Sequence, residues 1–163
     1  MAGRAEAPRL ELRIIRLFDA PRDVVFKLWT DAEHLVHWWG PRGFLTLACE
    51  IDLRPGGNWR IMSRAPDGME FASYGTFHEI IVSERLVFSH SFDFPGRPLG
   101  PSTLVTARFL EEKGRTRLIF HQGIFDSIAD RDGHEEGWSS AFDLIDDYLR
   151  QSAPRKDPHD RCK

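Results

Sequence analysis

The sequence predicts an α+β domain in which a seven-stranded antiparallel sheet is covered on one face by a long C-terminal helix. Three observations lead there. An alternating apolar segment followed by two helical segments opens the chain; short β-rich runs separated by turn residues fill 43–122; an apolar stripe of helical period follows Gln122-Gly123. Close turns join antiparallel strands, because parallel strands need long crossovers. A sheet with one apolar face must cover it, and the terminal helix is the one long element available.

Each element has its own signal. Leu10, Leu12, Ile14 and Phe18 fall on one face of an extended segment, interleaved with Glu11, Arg13 and Arg16, which predicts a strand over about residues 9–18. Pro21 suits the first turn of a helix, and Val24, Val25, Leu28 and Trp29 recur at helical spacing over about 21–30. Asp31 is an N-cap for a second short helix with Leu35 and Trp38 on one face, ended by Trp39-Gly40-Pro41. Six strands then form a meander, with turns at Arg54–Gly57, Ala65–Gly68, Ser83–Arg85, the 94–101 loop and Glu111–Gly114. Trp138, Phe142, Ile145 and Leu149 make the stripe of the last helix, expected over about 135–151. Glu135, Glu136, Asp143, Asp146 and Asp147 read as its solvated side. The domain is therefore expected over 9–152, with 1–8 and the polar segment 153–163 disordered.

Composition narrows the function classes. Net charge is -3 with both signs interspersed, so no basic face exists of the kind nucleic acid demands. The longest apolar runs, such as Leu86–Phe88, fall far short of the ~20 residues that cross a bilayer. Arg4, Glu6 and Arg9 stand where an export signal would be apolar, and Cys49 and Cys162 form no disulfide framework, so a cytoplasmic protein is expected.

No metal or cofactor is expected either. His34 and His37 share a helical face without a third ligand nearby, and His134-Glu135-Glu136 lacks the second histidine of a metalloprotease signature. Gly56-Gly57 leads into a strand, as a turn does, and not into a helix, as a phosphate loop does.

Several segments, taken together and in order, carry a resemblance. They are Phe18-Asp19-Ala20-Pro21 with Val24, Phe26, Trp29 and Thr30; the Trp38-Trp39-Gly40-Pro41 corner; and Asp52-Leu53-Arg54-Pro55-Gly56-Gly57-Asn58-Trp59-Arg60. Pro66-Asp67-Gly68, Gly75-Thr76-Phe77-His78-Glu79-Ile80, Glu84-Arg85-Leu86-Val87-Phe88 and Gly137-Trp138 follow. Over about residues 10–150 the chain resembles the bacterial AHSA1-like branch (activator of Hsp90 ATPase homologue 1-like) of the START/Bet v 1-like (SRPBCC) superfamily. The resemblance implies a helix-grip fold, a sheet wrapped around the C-terminal helix with a cavity between them. Functions differ widely within the superfamily, so the fold leaves the activity open.

Strand parity then selects the residues facing that cavity, since successive side chains point to opposite faces. The inward set is Trp59 and Ile61; Leu86, Phe88, His90 and Phe92; Val105, Ala107 and Phe109; and Thr116, Leu118, Phe120 and Gln122. With Trp39 from the corner and Trp138 and Phe142 from the helix, the candidate ligand-binding residues are Trp39, Trp59, Phe88, His90, Phe92, Phe109, Phe120, Gln122, Trp138 and Phe142. His90 and Gln122 are the polar members, each of which needs a partner in the protein or on a ligand. The 94–101 loop, with three prolines and two glycines, is a candidate lid.

The resulting expectation is binding or carriage of a small hydrophobic or aromatic molecule, in the setting of a stress or resistance response. The alternatives are an enzyme acting on a polyketide-like or other ring-bearing substrate, with His90 as acid or base, and an Hsp90-type chaperone-interacting module. A chaperone partner is not the expected one, because the eukaryotic activator carries a further N-terminal domain for which this sequence has no counterpart. A homodimer is left open.

Overall fold

Chain order in the computed structural model, which describes residues 10–152, follows the expected path. It runs β1 (Glu11–Phe18), α1 (Arg22–Thr30), α2 (Ala32–Leu35), β2 (Leu45–Ile51), β3 (Asn58–Arg64), β4 (Glu70–Ile81), β5 (Arg85–Asp93), β6 (Thr103–Glu112), β7 (Arg115–Gly123) and α3 (Ile128–Ser152). All strands join one sheet in the order β1-β7-β6-β5-β4-β3-β2. Every pairing is antiparallel, so the meander from β2 to β7 closes against the N-terminal strand. The segments expected to be disordered, 1–8 and 153–163, lie outside the described residues, as does Cys162.

Local chemistry accounts for the helix starts. Pro21 is the N-cap of α1 instead of its first residue, and its carbonyl accepts from the amides of Val24 and Val25. Asp31 caps α2 through its side chain, which accepts from the Glu33 amide at 3.0 Å. Within α1 the buried face is Val25, Phe26, Leu28 and Trp29; Val24, expected on that face, points to solvent, and Phe26 takes its place.

The largest departure from the sequence reading is α3, which begins at Ile128, not near 135. Ser127 starts it, its hydroxyl accepting from the Asp130 amide at 3.1 Å and its carbonyl from the Arg131 amide at 3.1 Å. The first two turns carry Ala129, Asp130, Arg131, Asp132 and Gly133, which leave no apolar stripe to read.

The core packs aromatic rings between sheet and helix. Trp29 sits at its centre, within 6.0 Å of the rings of Trp38, Phe109, Phe120, Trp138 and Phe142, and stacked on Trp138 at 13°. Such offset pairs add about 0.5–1.5 kcal/mol each beyond the area they bury. The acidic side of α3 is tethered to its neighbours. Asp143 and Asp146 meet Arg16 of β1, and Asp147 accepts from Arg42 at 2.8 Å. His34 and His37 also bind α3, the first by a 2.8 Å hydrogen bond to the Tyr148 hydroxyl and the second by stacking on its ring. No helix among the described residues is long and apolar enough to cross a membrane.

Candidate functional site

The N-terminal half of α3 and the inner face of β3, β4 and β5 enclose a cleft of about 710 Å³. Its existence follows from side-chain size. Ala129, Gly133, Gly137 and Ala141 recur every fourth residue on the side of α3 that borders the cleft, so the helix spans it without filling it. One turn further on, Phe142 and Ile145 are fully buried and close the space. The wall residues open to solvent are Pro66, Asp67 and Met69 in the β3–β4 turn and Ala129, Asp130 and Gly133 in the first turns of α3, which places the mouth between these two elements.

Most of the wall is aromatic, supplied by Trp39, Phe44, Phe71, Phe92, Phe94 and Trp138. Polar groups form a row on the floor. Ser63, Ser73 and His90 are 2%, 2% and 3% exposed, and all three border the cleft. In register Ser63 faces Phe71, and Ser73 faces Ile61 on one side and Phe92 on the other. The three are therefore diagonal neighbours across three adjacent strands. Neither hydroxyl has a hydrogen-bond partner among the described residues. The His90 ring is hydrogen-bonded to the backbone of its own residue.

His90 lies among rings, edge-on to Phe92 at 4.8 Å and tilted against Trp59 at 5.8 Å. Burial, and secondarily the neighbouring His134, lower its pKa from 6.5 to about 3. It is neutral at physiological pH. In the unfolded chain it regains its ordinary value, so acid favours unfolding: the stability is full above pH 6.5 and is lost as pH falls from 6.5 towards about 3. The expected loss attributable to His90 on going from about pH 8 to pH 5 is about 2 kcal/mol. Urea unfolding of the wild type and of His90→Phe at both pH values checks this: the wild type should lose more by that amount, and equal losses would contradict it.

Gln122 has a different environment. Its side-chain oxygen accepts from Trp138 Nε1 at 2.7 Å, and its Nε2 donates to Thr103 Oγ1 at 2.8 Å. Thr103 Oγ1 in turn donates to the His90 carbonyl at 3.3 Å. This chain of bonds ties α3 to β7, β6 and β5 and satisfies the buried amide within the protein.

Of the ten candidate residues, the structure brings Trp39, His90, Phe92 and Trp138 together on the cleft wall. Trp59 and Phe88 border a separate void of about 20 Å³ that reaches Trp39 from the other side. Phe109, Phe120, Gln122 and Phe142 are fully buried in the packed interior, away from the cleft. Phe44, Phe71, Ser63, Ser73 and the small residues of α3 join the wall from outside the expected set. Of these, Ser63 continues the inward phase of Trp59 and Ile61. In the 94–101 loop, Phe94 lines the cleft and Gly100 and Pro101 line a smaller pocket beside it. Among the described residues no group of three or more histidine, cysteine, aspartate or glutamate side chains is placed to hold a metal.

Comparison with known proteins matches residues 19–150 to the family described as "Activator of Hsp90 ATPase homolog 1-like protein". A solution structure of a protein from Arthrobacter aurescens is 26% identical, covering 93% of this chain and 92% of that one, with a TM-score of 0.78. A crystal structure of a protein from Mycobacterium smegmatis is 27% identical over 86% of this chain and 91% of that one, with a TM-score of 0.75. The crystal structure of the AHSA1 protein from Silicibacter pomeroyi, at 24% identity and a TM-score of 0.77, covers 86% of this chain and 98% of its own and shows the same fold. The curated proteins give no match.

Proposed function

The chain belongs to the activator of Hsp90 ATPase homologue 1-like family, with its helix-grip fold, and from that premise we propose that it binds a small, ring-bearing apolar molecule in the cleft beneath α3. The observation that carries this reading is the cleft's make-up. Its volume of about 710 Å³ lies within the ~300–1,000 Å³ usual for small-molecule sites, and six aromatic side chains line it around a short polar row. Flat rings favour flat partners, because offset and edge-on contacts between rings are the low-energy ones.

Trp39, Phe71, Phe92 and Trp138 act as the gripping walls, and His90, Ser63 and Ser73 orient the molecule. The neutral state of His90 supports an uncharged occupant at the floor. Titration with the neutral dye N-phenyl-1-naphthylamine, followed by its emission and by quenching of tryptophan, tests the reading. Saturable binding of one dye per chain is expected. Emission that rises without saturation would reject an internal site.

A further inference from the structure

Beside the cleft lies a smaller pocket of about 140 Å³. Between the two stand His90 and Phe92 of β5, Phe94 of the following loop, and Asp130 and His134 of α3, which border both. The rings of this partition touch. Phe92 lies 4.8 Å from His90, 5.3 Å from Phe94 and 5.4 Å from His134 between centroids, and His90 lies 5.8 Å from His134. Aromatic rings at such separations are in contact, so no third ring passes between them. Asp130 is exposed, and His134 supplies the partition's ring on the helix side.

Different residues build the rest of the pocket. Phe125, 4% exposed, packs on His134 at 4.8 Å. Gly100 and Pro101 end the 94–101 loop, which is pinned by the bond from the Gly100 amide to the Phe92 carbonyl at 3.2 Å. The exposed members, Pro101, Asp126 and Asp130, put the opening between that loop and the start of α3, whereas the cleft opens towards the β3–β4 turn. Size and walls then decide what fits. An apolar cavity of ~150 Å³ takes up benzene, so this one has room for a single six-membered ring and not for two fused ones. Phe92, Phe94 and Phe125 offer that ring edge-on and offset contacts. Among the described residues the lining holds no lysine or arginine, and Asp126 and Asp130 border it, which disfavours an anion.

We propose that this pocket is a second binding site, for one uncharged aromatic ring, entered separately from the cleft and walled off from it by the partition that His134 completes. It stands on its own lining and does not depend on the cleft's being occupied.

The test follows backbone amide shifts by NMR during titration with toluene and with 2-methoxynaphthalene. Toluene should shift the amides of Ser91, Gly100 and Phe125 saturably, and should do so again when 2-methoxynaphthalene already fills the cleft. The two-ring probe alone should leave those three amides in place while it moves Ser63 and Met69 of the cleft. In His134→Ala, a half-buried helix position that alanine suits, toluene should bind the pocket about threefold more weakly, the effect of one lost ring contact. In that variant 2-methoxynaphthalene should also reach the three amides. Saturable shifts at Ser63 and Met69 with none at Ser91, Gly100 and Phe125 overturn the second site and leave the cleft reading standing. Movement of the three amides by 2-methoxynaphthalene in the wild type, or a His134→Ala variant that behaves as the wild type with both probes, overturns the partition. Toluene in the pocket with no binding of 2-methoxynaphthalene anywhere upholds the second site and overturns the cleft reading.

Discussion

Gly133→Leu weakens dye binding and raises the melting temperature, an opposition of signs that a merely structural cleft would not give. Gly133 lies on the cleft wall in the interior of α3, and a Cβ built there meets nothing within 4 Å. A leucine side chain therefore has room, and because Gly133 is exposed and borders the cleft, that side chain stands at the cleft's mouth. Replacing glycine by a good helix former in a helix interior stabilises by roughly 0.8 kcal/mol, or about 2–3 °C for a chain of this length. The dye loses part of its space at the same time, and binding should weaken by at least ~30-fold, about 2 kcal/mol. Parallel melting curves and dye titrations check both halves. Unchanged affinity with a raised melting temperature would place the dye elsewhere on the protein.

Gly75→Ala has the largest expected effect on stability. Gly75 lies opposite Trp59 in the β3–β4 register. A Cβ built on it lies 1.8 Å from the Ser89 carbonyl oxygen and 2.8 Å from Trp59 Nε1. The first is backbone and cannot swing aside, so β4 and β5 have to move apart. Pairing is already irregular here: the Thr76 amide bonds to Ser89 Oγ at 2.9 Å, and the register slips between Phe77 and Glu79. The expected cost is about 3 kcal/mol or more, which lowers the melting temperature by roughly 10 °C. A melting temperature within about 2 °C of the wild type would show that the strands absorb the methyl group. The same displacement would part Ser73 from His90 and disturb the cleft floor.

The sheet and the order of elements were legible in the sequence because they rest on local signals. Turn residues at Arg54–Gly57, Ala65–Gly68 and Glu111–Gly114 cut the meander into strands, and alternation fixed which side chains face inward. The start of α3 was not legible, since Ile128–His134 has no apolar stripe and its cap is one serine hydroxyl. That gap hid the cleft as well, because Ala129 and Gly133 belong to those missing turns. Parity says which way a side chain points, not whether its neighbours fill the space around it. Phe109 and Phe92 are both inward, yet the first meets Trp29 and Phe26 while the second meets the cleft. The contrast between the His90 and Gln122 side chains likewise depends on Trp138 and Thr103, residues distant in sequence that bond the Gln122 amide and not the His90 ring.

The central claim is that the cleft under the first turns of α3 holds a flat ring. Crystals grown with 6-bromo-2-naphthol, measured at the bromine absorption edge, locate the ring directly. The account predicts one strong anomalous peak per chain among Trp39, Phe71, Phe92 and Trp138. A bromine found on the outer face of the sheet, with the cleft holding none at saturating probe, would contradict it.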